Sequence, residues 1–137
     1  MSHLVFVYGT LQVGLPHHNK LENSDSRFIG SAITDRKFRL VIVEPRNSVC
    51  LINSPVNTVE GEVFEVGDVT LERLDTLERV SEQDGYQRKQ TRAYINHGNY
   101  TVQVWVYLKP EGMIDEGTIV CDNLQKYVQQ LPYTPRS

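Results

Sequence analysis

The stretch that most restricts this chain lies near its start. Leu4-Val5-Phe6-Val7-Tyr8 is an unbroken apolar run, followed at once by Gly9-Thr10-Leu11 and, three residues on, Gly14. An unrelieved run of β-branched and aromatic residues suits a strand buried on both faces, although one this short also fits a segment of buried helix. Gly9 then permits a sharp turn and close backbone approach, with the Thr10 hydroxyl beside it. A buried strand feeding a small-residue turn can present backbone N–H groups to an anion. An ordinary turn after a central strand has the same sequence signature.

Beyond this turn the chain is patterned mainly as strand. Residues 28–33 and 37–43 are strand candidates; in the second, Phe38, Leu40 and Ile42 alternate with Lys37, Arg39 and Val41. Glu44-Pro45-Arg46-Asn47-Ser48 is a turn cluster, and the short apolar segment 49–52 is expected to end at Asn53-Ser54-Pro55. Residues 59–66 alternate again, with Gly61 as a small residue against which something packs closely. Residues 86–95 and 99–108 read as two strands joined around Asn96-His97-Gly98-Asn99. A final helix is expected over residues 119–131, where Val120, Leu124, Val128 and Leu131 trace an apolar stripe that Pro132 and Pro135 stop.

One earlier segment carries a helical pattern. Asp68 is a good N-cap, and Leu71, Leu74 and Leu77 recur at three-residue spacing. Glu78, four residues after Leu74 and seven after Leu71, falls on the same inward-facing stripe. A carboxylate there either ends the buried strip and reaches water or points into a cavity, and the first is the commoner arrangement.

The remaining features exclude more than they assign. A chain of 137 residues, 39% apolar and 23% charged, is expected to form one α+β domain over residues 1–137. A net charge of −3, without a basic block, gives no reason to expect nucleic acid as a partner. No run is long enough to span a bilayer and no signal-peptide pattern opens the chain, so a cytoplasmic protein without membrane attachment is expected. Cys50 and Cys121 are too few for a disulfide framework and read as small apolar core residues. His17 and His18 are adjacent, hence point apart, and make a poor metal site; no metal is expected. No nucleophile elbow for a Ser-His-Asp hydrolase is present.

Three segments in order carry a family resemblance. Val7-Tyr8-Gly9-Thr10-Leu11 with Gly14 resembles the signature of the γ-glutamylcyclotransferase-like family, which includes γ-glutamylamine cyclotransferase and the plant avirulence-induced-gene proteins. Val59-Glu60-Gly61-Glu62-Val63 is similar to the strand that precedes that family's catalytic helix, and Leu74-Asp75-Thr76-Leu77-Glu78 to its Leu-Asp-x-x-Glu. A Tyr-x-Arg, here Tyr86-Gln87-Arg88, then opens the next strand, so the resemblance spans about residues 4–108. It implies a small, largely antiparallel mixed β-barrel with flanking helices. It also implies a monomer acting on a small γ-glutamyl substrate without any cofactor.

By the same resemblance Glu78 is the catalytic residue, and Tyr8, Gly9, Thr10 and Leu11 form the substrate-binding turn. The implied activity is that of a γ-glutamylamine cyclotransferase. The substrate's α-amine attacks its own γ-carbonyl and releases 5-oxoproline and a free amine, for example lysine from γ-glutamyl-ε-lysine. Other γ-glutamyl compounds such as γ-glutamyl amino acids, or simple binding in the same cavity, are the alternatives. The chain departs from the family in two places: Arg79 stands where Gly often follows the glutamate, and the loop to Tyr86 is longer. Glu82, in that loop, is the rival carboxylate.

Overall fold

A computed structural model describes residues 2–9, 25–96 and 100–127. The strands are β1 Ser2–Val7, β2 Ser26–Thr34, β3 Phe38–Val43, β4 Ser48–Asn57, β5 Glu60–Gly67, β6 Gln87–Ile95, β7 Tyr100–Pro110 and β8 Ile119–Leu124. Helix α1, Asp68–Leu77, directly succeeds β5, and a 3-10 turn at Glu116–Thr118 precedes β8. The strands form one eight-stranded mixed sheet in the order β1-β5-β2-β6-β7-β4-β3-β8. Most neighbours are antiparallel, but β4 runs parallel to β7, and the sheet curls until β1 meets β7 in parallel at Val5 and Trp105. It is the mixed, largely antiparallel α+β architecture that the resemblance implied, in the form of a curled sheet with a single α-helix among the described residues.

The apolar run at the start is the buried strand: Val5, Phe6 and Val7 are inaccessible or nearly so. It needs both faces buried because β5 flanks it and core clusters lie on each side. Gly61 of β5 shows how tightly the two strands pass. A methyl group there would lie 2.3 Å from the carbonyl oxygen of Val7 and 2.7 Å from the Phe6 ring, so only glycine fits.

Helix α1 starts differently from the sequence expectation. Gly67 is its N-cap, with no side-chain capping bond, and Asp68 is instead the first helical residue, its carboxylate 2.6 Å from His3 Nε2. Asp25 serves the helix start: its carboxylate accepts from the Thr70 hydroxyl and its carbonyl accepts from Gly67 N–H. Leu71 and Leu74 pack into a cluster with Val5, Val7, Phe64, Val66, Tyr86 and Tyr107, each burial contributing about 1.5–3 kcal/mol. Those two leucines fix where the helix ends, and so where Glu78 stands.

Two segments depart from expectation. β4 continues past Asn53 to Asn57; Pro55 is tolerated because it falls between the paired residues Ile52 and Asn57 of a bulged register with β3. The expected helix over 119–131 is overturned for its first half, which is strand β8 on the edge of β3; residues 128–131 lie outside the described residues. The period of two decided it. Ile119 and Cys121 turn half inward while Val120 is 48% exposed, and pairing with the otherwise open β3 edge satisfies the backbone groups of both strands. Cys121 is accordingly half-buried instead of a core residue, whereas Cys50 is buried.

β8 is also held electrostatically. Arg39 of β3 donates to both oxygens of Glu116 at 2.8 and 2.9 Å and to both of Asp122 at 2.9 and 2.6 Å. The guanidinium holds both carboxyls below their ordinary range. A carboxyl whose folded pKa is depressed stabilises the protein above its unfolded pKa of about 4 and loses that contribution as pH falls. The stability difference between wild type and Arg39→Met is therefore expected to shrink from pH 6 towards pH 2 in urea titrations. A difference independent of pH over that range would contradict the role given to this ion pair.

Candidate active site

Glu78 is the residue at which α1 stops. Its N–H still donates to the carbonyl of Leu74 at 2.9 Å, and Arg79 then takes a left-handed φ of 56°. That conformation is reluctantly adopted by residues with a Cβ, which is the physical reason for glycine at such a position. Here arginine holds it, with its guanidinium engaged by Glu82 at 2.6 Å and Asp84 at 3.1 Å. Val80 N–H donates to the Asp75 carbonyl, Tyr86 N–H donates to the Glu78 carbonyl, and the 80–85 loop closes on itself. Gly85 passes so close to Arg79 that a methyl group would fall 1.8 Å from the Arg79 carbonyl oxygen.

This closed loop and the β3–β4 turn border a cavity of about 430 Å³ lined by Glu78, Arg79, Asp84, Gly85, Tyr86, Pro45, Arg46, Ser48 and Lys109. The volume suits a small metabolite. Glu78 is half-buried in its wall; Glu82 is not among the lining residues and binds Arg79 instead. Both features of the sequence reading meet here: Glu78 ends the apolar stripe half-buried, and it borders the cavity.

One tyrosine, Tyr86, lines the cavity, and a second, Tyr107, lies in the core cluster with it. Tyr86 is buried, donates its hydroxyl to the Val49 carbonyl at 2.7 Å and has Cys50 Sγ at 3.1 Å. Burial, then Cys50, Tyr8 and the negative charge of Glu78, pushes its phenol well above the ordinary range. Tyr107 donates to Asp75 Oδ1 at 2.7 Å, and its phenol too is pushed up, by burial first, then by that hydrogen bond and, to a smaller extent, by Glu78. Both stay neutral hydrogen-bond donors at physiological pH, so neither brings a second negative charge to Glu78. Arg88 lies 3.4 Å from Asp75 and stacks over Trp105 at 4.5 Å, closing a network behind the helix.

Gly9, just after the end of β1, sits beside β4. Gly9 lies against Val49, the same residue whose carbonyl receives the Tyr86 hydroxyl. A Cβ on Gly9 would be in ordinary contact with Val49 at 3.5 Å, and its φ is not left-handed, so among the described residues neither packing nor backbone conformation requires the glycine. Tyr8 turns its ring into the core and donates its hydroxyl to the Tyr107 carbonyl at 2.7 Å. Thr10 and Leu11, and likewise His17 and His18, lie outside the described residues.

Comparison with known proteins decides the family. The model for gamma-glutamyl cyclotransferase, AIG2-like proteins matches residues 5–127. The chain belongs to that family. It is 39% identical over 103 residues to gamma-glutamylaminecyclotransferase C of Danio rerio, a match covering 72% of this chain and 66% of the relative. To the Bos taurus gamma-glutamylaminecyclotransferase it is 36% identical over 108 residues, 75% of this chain and 63% of the relative. The chain thus spans about two thirds of the length of each of these two. The crystal structure of an AIG2-like protein from Mus musculus superposes with a TM-score of 0.84 at 27% identity, covering 98% of this chain and 97% of that one.

In this member of the family Tyr86 lines the cavity beside Glu78 and donates to Val49, against which Gly9 lies, but Tyr8 and Gly9 themselves are not among the residues that line it. Sequence reasoning assigned no part in the site to Tyr86, Tyr107, Asp75, Arg46 or Lys109. A signal existed for some of them. Tyr86 and Arg88 are two apart, and Trp105 and Tyr107 share the strand face opposite Val104 and Val106, so a polar and aromatic cluster inside the curl was readable from alternation alone. Arg46 gave none, because a turn arginine looks like any solvated cation. Among the described residues no group of three or more His, Cys, Asp or Glu side chains is arranged to hold a metal, and no helix is long and apolar enough to cross a membrane.

Proposed function

We propose that the protein is a γ-glutamylamine cyclotransferase with Glu78 as its proton-transferring group. The observation that carries this is that Glu78, and not Glu82, lines a small cavity together with the neutral phenol of Tyr86. In the reaction the α-amine of the γ-glutamyl group attacks its own γ-carbonyl carbon, a C–N bond forms, and the bond to the leaving amine breaks. The amine must lose a proton and the leaving nitrogen must gain one. One carboxylate does both in turn, first as base and then as acid. Because nucleophile and electrophile share a molecule, holding it folded supplies much of the acceleration, on the order of 7–11 kcal/mol for well-oriented partners.

The turn at Gly9 is assigned to the glutamyl half, where backbone groups meet its carboxylate or the carbonyl oxygen. That no described residue crowds a Cβ at Gly9 supports this assignment. Gly9→Ala is accordingly expected to leave stability within about 0.5–1 kcal/mol of wild type while lowering kcat/KM at least about tenfold. Thermal unfolding and kinetics on the same preparation check both halves, and full activity in the variant would remove the turn from the site.

The reading itself is tested by 5-oxoproline release from γ-glutamyl-ε-lysine and from a panel of γ-glutamyl amino acids. Release from the lysine conjugate in preference to the panel is the expected result. Release from the amino-acid set alone would keep the chemistry and change the substrate, and release from neither would leave a binding protein.

A further inference from the structure

The last turn of α1 and its cap carry two carboxylates, and the proton transfer uses one of them. Asp75 stands three residues before Glu78, a spacing that makes the two side chains neighbours on the helix surface. Each negative charge so placed disfavours the ionisation of the other, yet Glu78 must be ionised to accept a proton from the substrate amine. A cation meets the first carboxylate. Arg88 Nε lies 3.4 Å from Asp75 Oδ1, the same oxygen that accepts the Tyr107 hydroxyl at 2.7 Å.

This ion pair does little for the fold. Arg39 shows how an arginine grips a carboxylate, with bonds to Asp122 at 2.9 and 2.6 Å, whereas Arg88 approaches Asp75 through one nitrogen at a longer distance. Its Nη1 is buried without a hydrogen-bond partner among the described residues, which costs stability. The guanidinium lies over the Trp105 ring, 4.5 Å from its centre. What the arrangement supplies is a permanent positive charge at a fixed place beside the end of α1. Tyr107 senses all three charges: burial first, then Asp75 and, to a smaller extent, Glu78 push its phenol up, while Arg88 draws it down.

None of the other charged or titratable groups around Glu78 bonds to the Asp75 side chain. Arg79 is taken up by Glu82 and Asp84. Lys109 of β7 donates to the Asp84 carbonyl with its Nζ 5.0 Å above the Tyr86 ring, and Arg46 lines the cavity from the β3–β4 turn. Tyr86, with the Cys50 thiol at its hydroxyl, stays a neutral phenol. We propose that Arg88 acts through Asp75 as a positioning residue, its fixed charge cancelling that of Asp75 so that Glu78 stays ionised where the substrate amine needs a base. The inference rests on the cyclotransferase reading and adds to it the residue that keeps the base available.

The test is the pH dependence of kcat/KM for 5-oxoproline release, measured beside a carbon NMR titration of the Glu78 carboxyl that Glu78→Gln assigns. Arg88→Met keeps an apolar stem over Trp105 and removes the charge. It is expected to move the acid limb and the Glu78 titration up by about 0.5–1 pH unit, a loss of about three- to tenfold in kcat/KM on that limb. Arg88→Lys restores the charge and holds both near wild type. Asp75→Asn moves both down, and the double variant Asp75→Asn/Arg88→Met brings them back. Calorimetry verifies folding, and the Arg88 pair and the Asp75 variant each decide the matter if the other does not fold. Unmoved titrations in the folded variants, or equal shifts with Met and Lys at Arg88, would make the pair structural and overturn the inference. In either case 5-oxoproline still forms and the cyclotransferase reading stands. Its absence with wild type would sink that reading instead, while the NMR titration still decides whether Arg88 governs Glu78.

Discussion

Glu78→Gln is expected to lower 5-oxoproline release by about 10²- to 10⁴-fold, the range for loss of a positioned acid–base group. The substitution keeps the shape of the side chain and the backbone bond from Glu78 N–H to Leu74, so the helix end and the cavity wall remain. Substrate binding, measured by calorimetry, should survive within a few-fold while kcat collapses. Glu82→Gln is the control of choice, since Glu82 is tied to Arg79 and does not line the cavity. A variant pair behaving the other way round, with Glu78→Gln active and Glu82→Gln dead, would transfer the role to the loop.

Gly85→Ala is expected to damage both stability and activity. The added methyl would have to lie 1.8 Å from the Arg79 carbonyl oxygen and 2.6 Å from its carbon, both backbone atoms that no rotamer change moves aside. Relief requires the loop to open, which strains the Tyr86 N–H bond to the Glu78 carbonyl at 3.0 Å. Overpacking of this kind costs about 2–3 kcal/mol, which for a domain of this size lowers Tm by on the order of 10 °C. Displacement of Glu78 from Tyr86 by even about 1 Å is expected to cost a further 10²-fold in kcat. Differential scanning calorimetry and steady-state kinetics measure the two effects separately, and a variant with unchanged Tm would show that the loop does not close as described.

The parts of the chain that bear on these two variants were unequally legible. The β1 run declared itself because burial on both faces leaves no polar residue to interrupt it, and α1 because Leu71 and Leu74 fall on one face. Glu78 could be placed on the inward stripe, but periodicity gives an angle around the helix, not what lies opposite. The error at β8 has the same origin. Val120, Leu124, Val128 and Leu131 fit a helical stripe in isolation, yet the open β3 edge and the Arg39 pairs make strand the better use of the first half. Local spacing cannot register an unpaired edge far away in the chain.

Residue types and their order therefore carry the family, the strand-rich class, the identity of Glu78 as a candidate and the need for glycine beside β1. They do so because burial and helical or strand periodicity are local properties that side-chain chemistry expresses directly. The site itself belongs to the tertiary structure. Only the curl of the sheet sets Gly9 on Val49 and Val49 on Tyr86, and only loop closure at Gly85 draws Glu82 to Arg79 while Glu78 lines the cavity with Arg46 and Lys109. Those relations depend on distances between segments widely separated in the chain, which folding fixes through packing and backbone pairing.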